Sequence, residues 1–213
     1  MATDKITDLP LFPLNTVLFP RGLLPLQIFE VRYLHMVAKC QREASPFGVV
    51  SLIQGSEVRK ADEAPDGAEV FQSLGTLARI AEFAAPMPGL MKIKCIGEQR
   101  FRILRQAKLT HGLWVAEVSR IAADKDVAIP ADLLHVAEKL GRLIRNLQAR
   151  GVRSDEMPIS PPYELGDCAW VANRWSELLP VSAAMKRDLL ATDSPVLRLE
   201  LIGDVLDRTI LPI

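Results

Sequence analysis

The chain has 213 residues, with 26 Lys plus Arg balanced by 26 Asp plus Glu, so no overall charge directs it to nucleic acid or anionic lipid and any such role has to be local. That length can bury a substantial core without a staple. The three cysteines, Cys40, Cys95 and Cys168, are widely spaced, with no CxxC pair and no histidine at ligand spacing, which predicts buried free thiols in a reducing cytoplasm and no metal site.

The first element to explain is "LPLFPLNTVLFPRGLLPLQIFE", residues 9–30, which is apolar enough to resemble a membrane segment. A spanning helix needs about 20 apolar residues in unbroken hydrogen bonding. Prolines at 10, 13, 20 and 25 would each cost ~3 kcal/mol in a helix interior. Nor does the Met-Ala-Thr-Asp-Lys start match the basic opening of a secretory signal. No membrane role is expected. The stretch reads instead as buried β-structure over residues 9–14, 16–19 and 23–28, with prolines at edges and bends.

Past Phe29 the apolar period changes. Val31, Tyr33, Leu34, Met36, Val37 and Cys40 share one face of a short helix that ends near Ser45-Pro46, with Glu30 at its positive end. "FGVVSLI" (47–53) follows as a buried strand, and residues 55–68 read as a solvated loop. Strands are predicted over 74–83, 90–96, 100–105 and 113–121, with Gly97-Glu98-Gln99 as a tight connection. Met91, Ile93 and Cys95 alternate with Lys92 and Lys94. Short strands divided by turns, with one early helix, predict a small closed or half-closed barrel.

The pattern turns helical after Asp124-Lys125-Asp126. Leu133, Val136, Leu140, Leu143, Ile144 and Leu147 recur at helical spacing over 130–150, and Gly151 is a suitable terminator. A proline-rich break at 157–162 leads to a second helix over 163–179, ended by Pro180. Ser182 caps a third, carrying Met185, Leu189 and Leu190. Ser194-Pro195 opens a fourth that runs through Val205. The expectation is an α+β protein of two domains, a barrel over 1–123 and a bundle of about four helices over 124–213.

Several of these stretches together resemble a known family. "LPLFPLNTVLFPRGLLPLQIFEVRYLHMV", "FGVVSLIQGSEV", "LGTLARI" and "GEQRFRIL" are similar to the amino-terminal domain of the Lon protease family, which also occurs free-standing. "LLPVSAAMKRDLLATDSPVLRLELIGDVL" is similar to its helical tail. The resemblance implies a PUA-like β-barrel followed by a helical bundle, and a part in recognising protein substrates and supporting assembly. It implies no chemistry: no GxxxxGK[ST] phosphate cradle is present, and the family's serine-lysine peptidase module has no counterpart here.

The remaining residues support a non-enzymatic reading. His135 and Glu138 lack the second histidine of a zinc-peptidase motif, there is no GxSxG elbow, and His35 and His111 have no partner in sequence, so no catalytic residue and no cofactor are expected. Glu30, Arg32 and Tyr33 match the family's FExRY motif and are expected to fix the strand-to-helix junction. The candidate site is the apolar hairpin "FAAPMPGLM", where Phe83, Met87 and Leu90 would meet apolar segments of unfolded or partner proteins. The alternative is RNA binding through a basic strand face of Lys92, Lys94, Arg100 and Arg102, with Phe101 as the only aromatic between Gly89 and Lys108. The chain is thus expected to be a cytoplasmic recognition module.

Overall fold

A computed structural model describes residues 4–54 and 69–208; the loop expected over 55–68 lies outside them. Two compact units are present, Met1–Ala123 and Asp124–Ile213.

The first unit contains β1 (Lys5–Leu14), β2 (Leu23–Ile28), α1 (Val31–Glu43), β3 (Phe47–Gln54), β4 (Val70–Met87), β5 (Leu90–Lys108) and β6 (Trp114–Arg120). The strands follow the order β2-β5-β4-β3-β1-β6, and β6 also pairs with β5. The pairing therefore closes a ring of β5, β4, β3, β1 and β6, with β2 joined edge-on to the first half of β5. β1 and β3 are parallel, which requires a crossover, and β2 with α1 supplies it.

The apolar opening is explained by β1, which is buried on both faces. Leu9 and Leu11 join one core with Val50, Leu77, Phe101 and Val118. Phe12 and Leu14 join a second with Tyr33, Met36, Val37, Phe47, Ile93 and Cys95. Each fully buried Val, Leu, Phe or Met side chain contributes about 1.5–3 kcal/mol of transfer free energy.

Two expectations fail in instructive ways. Residues 16–19 form no strand. Val17, Leu18 and Phe19 are buried, but Thr76 donates from Oγ1 to the Leu18 carbonyl at 2.6 Å and the Gly22 N–H donates to the Phe19 carbonyl at 3.0 Å, so side-chain and turn bonds take the place of a ladder. Nor is Gly97-Glu98-Gln99 a connection, because β5 runs unbroken from Leu90 to Lys108. Ala78 faces Gly97 while Thr76 faces Arg100, which puts one extra residue on β5, a bulge rather than a turn.

The second unit holds α2 (Leu134–Ala149), α3 (Cys168–Leu178), α4 (Ala183–Ala191) and α5 (Pro195–Arg208). The second helix starts at Cys168 and not at 163, because the Asp167 side chain accepts the Trp170 N–H at 2.6 Å and caps it there. Ser182 and Ser194 accept from Met185 and Leu197 at 3.2 and 3.3 Å, as expected of caps. Val136, Leu140, Trp175, Leu199 and Ile202 form the interior, and the Trp175 indole donates to the Val136 carbonyl at 3.0 Å. Arg198 lies buried among them and bonds to Asp124, Asn173 and the carbonyls of Leu189 and Thr192.

Candidate functional site

β4 and β5 continue together to a hairpin whose strands close at Met87 opposite Leu90. Gly89 turns the chain with φ of 78°, a conformation that favours glycine, and Pro86 and Pro88 restrict the backbone on either side. Every residue over 81–89 is exposed. Phe83 is 40% exposed and Met87 60%; Leu90 is half-buried. Met87 and Leu90 thus face each other directly, while Phe83 lies farther down the arm opposite Ile93. Glu82 pairs with Lys94 across the same two strands at 3.0 Å.

The four basic residues do not make one exposed face. Lys92 and Arg102 point to solvent, but Lys94 is engaged by Glu82 and Arg100 is only 4% exposed. The bulge after Gly97 is the reason, since it changes which face the alternate residues of β5 occupy.

The FExRY residues build a junction, as their local pairing suggested. Arg32 donates to Glu30 at 3.0 Å and to the Gly112 carbonyl at 3.0 Å, and lies over the Tyr33 ring at 4.5 Å. Tyr33 stacks on Phe12 with centroids 4.0 Å apart. A partner that sequence spacing gave no means of finding is Glu69, 3.5 Å from Arg32 and 3.0 Å from Lys108, which also accepts the Trp114 indole N–H at 2.6 Å. Burial pushes the Glu69 carboxyl upward, but the bonds from Trp114 and Lys108 outweigh it and hold the group below its ordinary value.

A concavity of about 500 Å³ opens beside the end of α1, with Leu9, Pro10, Met36, Cys40, Leu113 and Val115 among its walls. One wall is bent by an irregularity between Ile6 and Leu9 in the β1–β6 pairing, with Asp8 at φ of 54°. Burial pushes the Cys40 thiol above its ordinary value, which disfavours its thiolate form. His135 is occupied locally, with Nδ1 2.9 Å from the Asp132 carbonyl. Among the described residues no group of His, Cys, Asp and Glu is arranged to hold a metal ion, and no helix is long and apolar enough to cross a membrane.

Comparison with known proteins agrees with this architecture. Residues 8–208 match the family described as the ATP-dependent protease La (LON) substrate-binding domain. The chain is 26% identical over 206 residues to the Lon protease of Anaeromyxobacter dehalogenans and 27% identical over 206 residues to Lon protease 2 of Myxococcus xanthus. In both cases 94% of this chain is covered but only 23% of the relative, so the chain spans about a quarter of their length. The crystal structure of a Lon N-terminal domain protein from Xanthomonas campestris superposes with a TM-score of 0.71 at 33% identity, covering 93% of this chain and 98% of that one. The N-terminal domain of the Mycobacterium avium complex Lon protease shares the fold, with a TM-score of 0.60 at 18% identity, covering 95% and 100%. The proline-punctuated opening, the six-stranded sheet and the helices after it are those of the Lon substrate-binding domain family, to which this chain belongs.

Proposed function

We propose that the chain is a non-catalytic module that recognises exposed apolar segments of other proteins through the β4–β5 hairpin, acting in a reducing cytoplasm where its thiols stay free. The observation that carries this reading is the run of exposed residues over 81–89 with Phe83 and Met87 open to solvent. An adaptable methionine on a proline-stiffened turn suits a site that accepts many apolar sequences at little entropic cost. The family's description as a substrate-binding domain supports it.

The test is photo-crosslinking to reduced, carboxymethylated α-lactalbumin, a permanently unfolded probe, with the wild type and with Phe83→Asp and Met87→Asp. Both substitutions fall on exposed positions, so circular dichroism should be unchanged while crosslinking falls. Undiminished crosslinking by both correctly folded variants would remove the hairpin as the site.

A further inference from the structure

β4 is flanked on both sides only as far as Ala78. Up to that residue it lies between β3, whose pairing ends at Phe47 opposite Ala78, and β5. From Arg79 to Met87 it keeps β5 on one side, and among the described residues no strand pairs with the other. In an antiparallel pair alternate residues turn their N–H and C=O groups away from the partner, so this run offers solvent an unpaired row of backbone donors and acceptors. The exposure of residues 81–87 leaves the row uncovered.

Two of the sheet's free edges are treated differently. On β2, which pairs only with β5 among the described residues, Pro25 sits mid-strand, and a proline removes a donor and discourages strand addition. β4 has no proline before Pro86, and its one charge between Ile80 and Met87, Glu82, is held by Lys94 of the neighbouring strand. Extra residues on β4 between Ile80 and Glu82 and between Ala84 and Met87 limit regular pairing to Glu82, Phe83 and Ala84. An added strand would therefore gain only a few main-chain bonds together with apolar contact to Phe83. Such binding is weak and tolerant of sequence.

We propose that the hairpin takes its clients as an added β-strand, main chain to main chain, along the open edge of β4 at residues 82–84. This rests on the protein-recognition reading above and specifies the conformation captured, an extended apolar segment whose amides are free at alternate positions.

The experiment is fluorescence anisotropy with a fluorescein-labelled peptide of sequence Thr-Val-Phe-Val-Thr-Val, added to the full chain. Two further peptides are N-methylated, one at the second, fourth and sixth amides and the other at the third and fifth. Strand addition predicts that one pattern weakens binding about tenfold or more while the other binds like the parent, because only alternate amides meet β4. Equal behaviour of the two methylated peptides, whether both bind or both fail, would overturn strand addition and leave side-chain capture. Failure of the parent peptide to bind the folded chain would count against the recognition reading itself.

Discussion

Gly97 lies so close to Phe19 that a Cβ on it would collide with the Phe19 carbonyl oxygen. Its own N–H and C=O are bonded to Gly22 and Arg21, at 2.9 and 2.6 Å, so the strand cannot step back to make room. Gly97→Ala is expected to cost about 3 kcal/mol in urea unfolding, at the upper end for overpacking. Gly166, with open space around its Cβ position, is the control: Gly166→Ala should stay within about 0.5 kcal/mol. Equal losses at the two sites would contradict the close approach.

Arg198 is 1% exposed at its side chain and bonds to Asp124 at 2.7 Å, fixing the start of the second unit to its helices. Arg198→Met would take the guanidinium away from the Asp124 charge, the Asn173 amide oxygen and two carbonyls. A loss of about 3–5 kcal/mol is expected, and Asp124→Asn should cost less because an amide oxygen still accepts. Chemical denaturation followed by tryptophan fluorescence, which reports Trp175 in this core, measures both.

Glu69 gives the first unit a pH dependence of known sign. Its folded pKa is lowered from 4.5, so its contribution is complete above the unfolded value and is lost as pH falls through the depressed folded value. Glu69→Gln should therefore be about 2 kcal/mol less stable than wild type at neutral pH, and the difference should close in acid. A gap that persisted unchanged below the folded pKa would assign the loss to shape rather than charge.

The thiols should be silent in the folded chain. Burial pushes Cys95 up to about 12, and burial with the nearby Asp167 pushes Cys168 up to about 11. Ellman's reagent at neutral pH is expected to leave all three buried cysteines unmodified until denaturant is added, and then to react with three per chain. Rapid labelling of the native chain would mean that a core opens readily.

Much of this architecture was legible because its signals are local. Met91, Ile93 and Cys95 announce a strand by alternation, and Ser182 and Ser194 announce helices because each stands just ahead of a run with helical apolar spacing. Gly97 misled because glycine serves a turn and a close backbone approach equally well, and only Phe19, distant in sequence, distinguishes them. Val17, Leu18 and Phe19 are as apolar as a strand, yet the carbonyls of Leu18 and Phe19 are satisfied by Thr76 and Gly22. The basic residues of β5 share one face by residue count alone, because the bulge beside Gly97 leaves no mark in composition. Apolar spacing alone carries the second helix back to 163 and passes over Asp167, the residue that caps it, whereas the meeting of Arg32, Glu69, Lys108 and Trp114 depends on ring closure.

β5 belongs to two structures at once, since its first half carries β2 and the hairpin and its second half closes the ring against β6. A tug on the hairpin would run lengthwise down the β4–β5 pair. Its hydrogen bonds lie perpendicular to that pull, so they would share the load together instead of opening one after another. Load applied along the hairpin would therefore meet the hydrogen bonds of the ring in shear.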